Sequence, residues 1–427
     1  MDDGTRTTLT VVAVGVFALA AGIGLLATSL SVGSPSSAPD GVHGVGPDVS
    51  RLHAAGATGE NVTVGVVDVT GFDTSTDALD GRVTEARAFD GSENVQNGGH
   101  NAHGTAAAET VARVAPDADI HVATFDSSDG YRRAVEWLVA EEVDVVVAPV
   151  SFYGKPGDGS SSVARVAADA TREGVVFVSP AGNVARGHWV GPYRNVENGT
   201  LAFGKSARNY LRGDRREVTV WLSWDDDGVG RDFTAELYWT DGTESRLVAR
   251  SLPYADDGVA NERIVASVES GTYFVVVRGP NESTGTRLEL TSPTHDLQYV
   301  VPNGSVVAPA SAPEVFTVGA YDERTGRAES FSSRGPTPDG RNGVDVVAPN
   351  RPAVAPDGFT GSSAAAAYAG GVAALVLDVQ PGLSPEGVER RLERSARDLG
   401  EDGTDPVAGH GRIAPDRALG VARNATD

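Results

Sequence analysis

The run NVTVGVVDV, residues 61 to 69, decides how this chain is read. It is short, β-branched and apolar, and it closes on an acid at Asp68. A strand with one wet face alternates apolar and polar residues. A strand covered on both faces has no polar side, so a continuous apolar run marks a parallel strand packed between helices. The chain keeps this rhythm downstream. YRRAVEWLVAEE (131–142) has helical spacing, and VDVVVAPVS (143–151) is a second buried strand. SVARVAADATREG (162–174) is an amphipathic helix that stops at Gly174, and VVFVSPAGN (175–183) is a third strand. Such alternation predicts a parallel sheet with helices on both faces. In open sheets of this kind function gathers at the carboxyl ends of the strands. Asp68, Ser151 and Asn183 lie at or just after such ends.

The rhythm changes between about 187 and 299, where short alternating strands and turns replace helices. REVTVWLSWDDDG, FTAELYWTDG, SRLVARSL, ERIVASV, GTYFVVVRG and TRLELTS are the strand candidates, and they predict a small inserted antiparallel β-sandwich. After residue 300 the α/β pattern resumes with the strand EVFTVGAYD. GVAALVLDV and SPEGVERRLERSARDLG (384–400) follow as helices, the second capped by Ser384 with Glu386 in its first turn.

Composition narrows the function. A chain of 427 residues is long enough for two or three domains. It has no cysteine, which excludes disulfides, zinc–thiolate sites and a cysteine nucleophile. The net charge is −23, from 58 acidic and 35 basic residues, and the only lysines are Lys155 and Lys205. Such a surface argues against nucleic acid as a partner. It suits a protein that stays soluble in concentrated salt. At the N-terminus, residues 8–32 form 25 uncharged positions, enough to span a bilayer as a helix. A membrane anchor over residues 1–32 with the remainder outside the cell is the expectation, and a cleaved secretion signal is the alternative. GSPSSAPDG then opens a flexible linker over 33–58.

Three segments could supply a nucleophilic site. Asp68 ends a buried strand, His103 stands in HNAHGTAAAE on the way into a helix, and Ser363 stands in FTGSSAAAAYAGG, residues 359–371. A serine hydroxyl attacks only when an imidazole takes its proton, and the imidazole needs an acid to fix its tautomer and balance its charge. His100, three residues before His103, reads as a loop residue. The acidic turn DDD at 225–227 leaves calcium open as a ligand, with a solvated turn as the plainer reading, and no metal-ligand set is assigned.

Around these residues the chain resembles the subtilase family of serine endopeptidases. VGVVDVTGFD is similar to the family's aspartate segment with one extra residue between Asp68 and Gly71, so Asp73 is the alternative acid. HGT at 103–105 matches the histidine segment, and GSSAAAAYAGG matches the serine segment at Gly361, Ser363, Ala365, Ala366 and Gly371. Ala364 and Ala367 stand where the family has methionine and proline. The likeness covers residues 59–186 and 300–421, which become the two parts of one catalytic domain, with 187–299 inserted and 422–427 a tail. It implies a subtilisin-like α/β fold and a triad of Asp68, His103 and Ser363. It further implies Asn183 of PAGN as an oxyanion donor, and Ser151 and Gly154 of PVSFYG on a strand that pairs with the substrate backbone. The small residues after Ser363 are expected to leave room for the acyl group. The insert resembles the prepeptidase C-terminal type of β-sandwich. A protein or peptide substrate and a monomeric enzyme are expected.

Overall fold

A computed structural model describes residues 47–97, 101–194, 196–225, 230–254, 259–400 and 402–421. The apolar segment 8–32, His100, residues 226–227 and the tail lie outside these described residues, as do the expectations attached to them.

The α/β layer runs in chain order through helix α1 (Pro47–Ala54), strands β1 (Thr63–Asp68) and β2 (Val83–Phe89), helix α2 (His103–Val114) and strand β3 (Asp119–Phe125). Helix α3 (Ser128–Ala140), β4 (Val145–Val147), α4 (Ser162–Arg172) and β5 (Val176–Pro180) follow. Ten strands come next: β6 (His188–Pro192), β7 (Asn209–Arg212), β8 (Glu217–Trp224), β9 (Thr234–Thr240), β10 (Ser245–Arg250), β11 (Leu252–Pro253), β12 (Asn261–Ser267), β13 (Thr272–Arg278), β14 (Arg287–Thr291) and β15 (Asp296–Leu297). The α/β layer then resumes with β16 (Phe316–Asp322), β17 (Arg327–Ala328), β18 (Val346–Pro349), α5 (Ser362–Val379), α6 (Pro385–Ser395) and α7 (Pro415–Ala418).

The main sheet orders its strands β2-β3-β1-β4-β5-β16, with β17 and β18 on β16, and every pairing but β16–β17 is parallel. Strand β1 lies between β3 and β4, with Val64 opposite Ile120 on one side and Val145 on the other. The chain leaves β1 toward one edge of the sheet and returns to build toward the other. That reversal opens a crevice at the carboxyl end of β1, the ordinary ligand position in such sheets. Asp68 is the last residue of β1.

Helices α3 and α4 cover one face through Tyr131, Leu138, Val163 and Ala167. Helices α2 and α5 cover the other through Val111, Val114, Ala366 and Val372. Both serines and the four alanines of α5 are buried, as is nearly every residue up to Val376. The helix passes the length and hydropathy test for a membrane span, but 89% of it is buried inside the protein. It is apolar all round because it has protein on every side.

Between residues 188 and 297 two antiparallel five-stranded sheets, β10-β9-β13-β7-β15 and β11-β12-β8-β14-β6, share an apolar core of Val220, Leu222, Phe233, Leu237, Val275 and Leu290. Strands β6, β7, β11 and β15 were not apparent in the sequence, and neither were β2 and β3. Helix α6 ends at Ser395 rather than near residue 400, because Ala396 is extended and Arg397 bridges Arg412.

Close packing sets a testable limit on α5. A Cβ at Gly370 would lie 2.2 Å from Cγ2 of Val147, and one at Gly371 would lie 2.6 Å from Cβ of Val114. Helix propensity alone favours alanine over glycine by about 1 kcal/mol. Overpacking costs about 1–3 kcal/mol, and here it should win. Gly370→Ala is expected to lower the denaturant midpoint; an unchanged or raised midpoint would show that Val147 yields.

Candidate active site

Asp68 is fully buried at the end of β1. Its Oδ2 accepts from His103 Nδ1 at 2.7 Å. Its Oδ1 accepts from the Thr70 N–H at 2.8 Å and from Thr70 Oγ1 at 2.7 Å. A buried carboxylate is tolerated only when donors surround it. Thr70 also accepts from the Gly104 N–H at 2.9 Å, which ties the turn after β1 to the first turn of α2. The fit is tight, since a Cβ at Gly104 would lie 2.4 Å from the Gly71 carbonyl oxygen. Gly71, at φ 72°, turns the chain there.

The extra residue of the aspartate segment is therefore absorbed in the turn. Asp73, the alternative acid, accepts instead from the N–H and hydroxyl of Ser75, which hold its carboxyl below its usual range. Its own N–H donates to Thr105 Oγ1 at 2.8 Å. The acid on the imidazole is Asp68.

His103 opens α2, with its N–H on Asn101 Oδ1 at 3.1 Å and the Phe359 ring edge-on at 5.3 Å between centroids. Ser363 lies in the first turn of α5, just after Gly361, whose φ of 96° no other residue adopts readily. Its Oγ donates to the Pro149 carbonyl at 3.2 Å, a long contact that leaves the hydroxyl able to rotate. Asn183 reaches the same helix end, where its Oδ1 accepts from the Ser362 N–H at 3.0 Å. That bond puts the Oδ1 end of the amide against the helix start. Asp68–His103 and Asn183–Ser362 are thus direct pairs, and Pro149, two residues before Ser151, brings the third strand end to Ser363.

Ser151 and Gly154 are placed differently. Ser151 is buried. The Gly154 carbonyl accepts from Asn261 Nδ2 at 3.0 Å, and a Cβ there would lie 2.5 Å from the Trp221 ring. Trp221 on β8 points away from its own sheets' core and packs with Tyr153, Val184 and Val307. The two-sheet unit is therefore seated on the segment following β4. Thr70, Phe359, Trp221 and Asn261 were not singled out in the sequence. Only Thr70 had a local signal, a hydroxyl two residues past a strand-end aspartate.

The profile of the subtilase family matches residues 59–212 and 242–411. The chain belongs to the subtilase family. Among relatives of this subtilase, the halolysin-like extracellular serine protease Nep of Natrialba magadii is 32% identical over 122 residues, 27% of this chain and 21% of that protein. Mycosin-1 of Mycobacterium tuberculosis is 36% identical over 132 residues, 27% of this chain and 28% of its own length. The matches thus span less than a third of either curated relative. Among solved structures, the CspB protease of Clostridium perfringens superposes with a TM-score of 0.63 at 20% identity, covering 88% of this chain and 98% of that one. That likeness is one of fold.

Away from the site, Asp345, Glu389 and Glu393 bring carboxylate oxygens within 4.8 Å of one another, close enough to share a cation. Asp345 accepts from the Thr317 N–H at 2.6 Å. Burial is the main influence that pushes Asp345 up to about 7 and Glu389 up to about 8, and the neighbouring acids add to it. Both are protonated in the folded protein where the unfolded chain has already ionised. Folding then binds extra protons above the ordinary carboxylate range, so this contribution is lost as pH rises toward 8. Glu389→Gln should therefore stabilise the subtilase at pH 8–9, by about 1–3 kcal/mol, and change little at pH 5. Equal effects at both pH values in denaturant titrations would contradict this.

Proposed function

We propose that this subtilase hydrolyses peptide bonds in protein substrates through Ser363, His103 and Asp68. The observation that carries the reading is the 2.7 Å hydrogen bond from His103 Nδ1 to a fully buried Asp68. That bond assigns the imidazole's tautomer and leaves Nε2 as the proton acceptor. Ser363 attacks the carbonyl carbon as Nε2 takes its proton, giving a tetrahedral oxyanion. The Asn183 amide and the Ser363 N–H at the start of α5 donate to that oxygen. The imidazolium then protonates the departing amine as the C–N bond breaks. Water, deprotonated by His103, attacks the ester and frees the acid product.

The finer parts of the reading rest on sequence pattern. Residues 1–32 anchor the chain in a membrane, or direct its secretion, with the catalytic domain outside the cell; the extracellular description of the Natrialba relative supports this direction. The acidic, lysine-poor surface fits a saline setting. Residues 59–186 and 300–421 form the catalytic domain, and 187–299 a β-sandwich of prepeptidase C-terminal type inserted between them. Ser151 lies where an extended substrate would pair with the chain, and the enzyme acts as a monomer.

Fluorophosphonate labelling of the full chain in molar salt tests the nucleophile. The parent should label and Ser363→Ala should not; labelling that survives in Ser363→Ala would move the nucleophile elsewhere. Peptide cleavage tests the oxyanion donor. Asn183→Ala should lower kcat by about 10²–10³ with a smaller change in KM. A fall confined to KM would make Asn183 a binding residue.

A further inference from the structure

Charge is divided between two sides of helix α6. Glu389 and Glu393 bring their carboxylates to Asp345. Gly387, Arg390, Arg391 and Arg394 repeat at i, i+3, i+4 and i+7, the spacing of one helix face. These four line a surface cavity of about 680 Å³, together with Arg417 of α7 and Gln380 at the end of α5. Glycine at 387 weakens the helix relative to alanine, and it keeps that part of the cavity free of a side chain.

The four guanidinium groups differ in what they meet. Arg390 pairs with Glu386. Arg391 donates from Nε to the Ala418 carbonyl at 2.7 Å, a neutral acceptor that leaves its charge uncompensated. Arg394 and Arg417 are exposed. Asp416, beside Arg417, pairs with Arg397 at 2.8 Å. Among the described residues no carboxylate forms an ion pair with Arg391, Arg394 or Arg417. Like charges three and four residues apart on a helix repel one another. On a chain whose net charge is −23, three such arginines around one cavity are a local reversal of sign that an anion would offset.

Guanidinium groups present planar paired donors that match carboxylate and phosphate oxygens. Neighbouring positions on one helix face lie about 5–6 Å apart at Cβ, so two or three of these side chains can close on a single anion. A phosphate group carries more than one charge and several acceptor oxygens at one point. The carboxylates of an acidic peptide carry one charge each.

We propose that this cavity binds a phosphate group, with Arg391, Arg394 and Arg417 as its charged partners. The site stands apart from the chemistry proposed at Ser363. Gln380 caps the opposite end of α5, and 18 residues of helix separate the two by about 27 Å. The proposal therefore does not depend on the peptidase reading. A phosphate group has two sources, a free ligand and the headgroups of a bilayer, which the anchor proposed for residues 1–32 would bring.

The test follows the thermal midpoint of the full chain in neutral detergent, with ionic strength held constant by chloride. Two probes are titrated separately: inorganic pyrophosphate, and micelles doped with phosphatidylglycerol, with phosphatidylcholine as the control for the latter. A ligand that binds only the folded protein raises the midpoint as its concentration rises. At least one probe should do so, and which one does identifies the source. In the double variant R394Q/R417Q the concentration that gives half of the rise should increase about tenfold, a factor of a few for each exposed charge. Arg165→Gln, which removes an exposed charge from α4, should leave that concentration unchanged. Each titration is referred to the same preparation without probe, so a small loss of stability in a variant cancels. A rise of equal size and midpoint concentration in R394Q/R417Q is a general salt effect and overturns the site, as does no rise with either probe. A rise with hexaglutamate alone overturns the phosphate assignment in favour of an acidic protein partner.

Discussion

A carboxylate with no exposure to water governs the architecture around the site. Thr70 and His103 surround the buried Asp68 carboxylate with donors, and an unpaired charge in such a place would cost several kcal/mol. Each donor imposes a condition on the chain. The Thr70 donors require a turn immediately after β1, which Gly71 supplies at φ 72°. The His103 donor requires α2 to begin against that turn, which works only because residue 104 has no side chain. Strand, turn and helix start are therefore fixed by one another. Because β1 is also where the sheet reverses its direction of growth, the same carboxylate marks the crevice and furnishes its first polar group.

What the sequence made legible follows from how locally each constraint acts. Strands β1, β4 and β5 are buried on both faces, so their burial is written as unbroken apolar runs. Strand β2, VTEARAF, is exposed along most of its length and has no such run to mark it in the sequence. Strands β7 and β15 have 4 and 2 residues, too few to show a period. The site was legible for a different reason. The chemistry proposed for its residues accepts few alternatives, and each stands in a short segment that resembles the family's own. The choice between Asp68 and Asp73 was not decidable by spacing. In the structure it is Asp68 that reaches the imidazole.

Contacts between the two layers were invisible beforehand because they join distant segments. In EVTVWLSW, Val218, Val220 and Leu222 face the core shared by the two sheets. Nothing in it says that Trp221, on the opposite face, meets the segment at Tyr153 and Gly154. The same holds for Asn261, whose amide occupies the Gly154 carbonyl across 107 residues of sequence. Backbone at Gly154 was expected to serve a substrate. Its carbonyl is engaged by Asn261 in this structure, a contact that joins the segment after β4 to the β-sheet unit.

The alanine run of α5 carries a similar lesson about cause. Small residues beside a serine can be explained by access for an acyl group, and that was the expectation. The packing gives another explanation. Ala364 to Ala367 are fully buried, and farther along the helix Gly370 meets Val147 of β4 while Gly371 meets Val114 of α2. The smallness continues past the first turn, beyond any reach of a substrate, on whichever side a neighbour approaches. It is the requirement of a helix wedged between a sheet and a second helix, where interaxial distance is set by the side chains at the contact. The chemistry proposed for this site needs only the start of the helix, with Gly361 for the turn, the N–H of Ser362 bonded to Asn183 and the hydroxyl of Ser363. The rest of α5 exists to hold that start rigidly in place, and its apolar, membrane-like composition is the price of doing so from the centre of the protein.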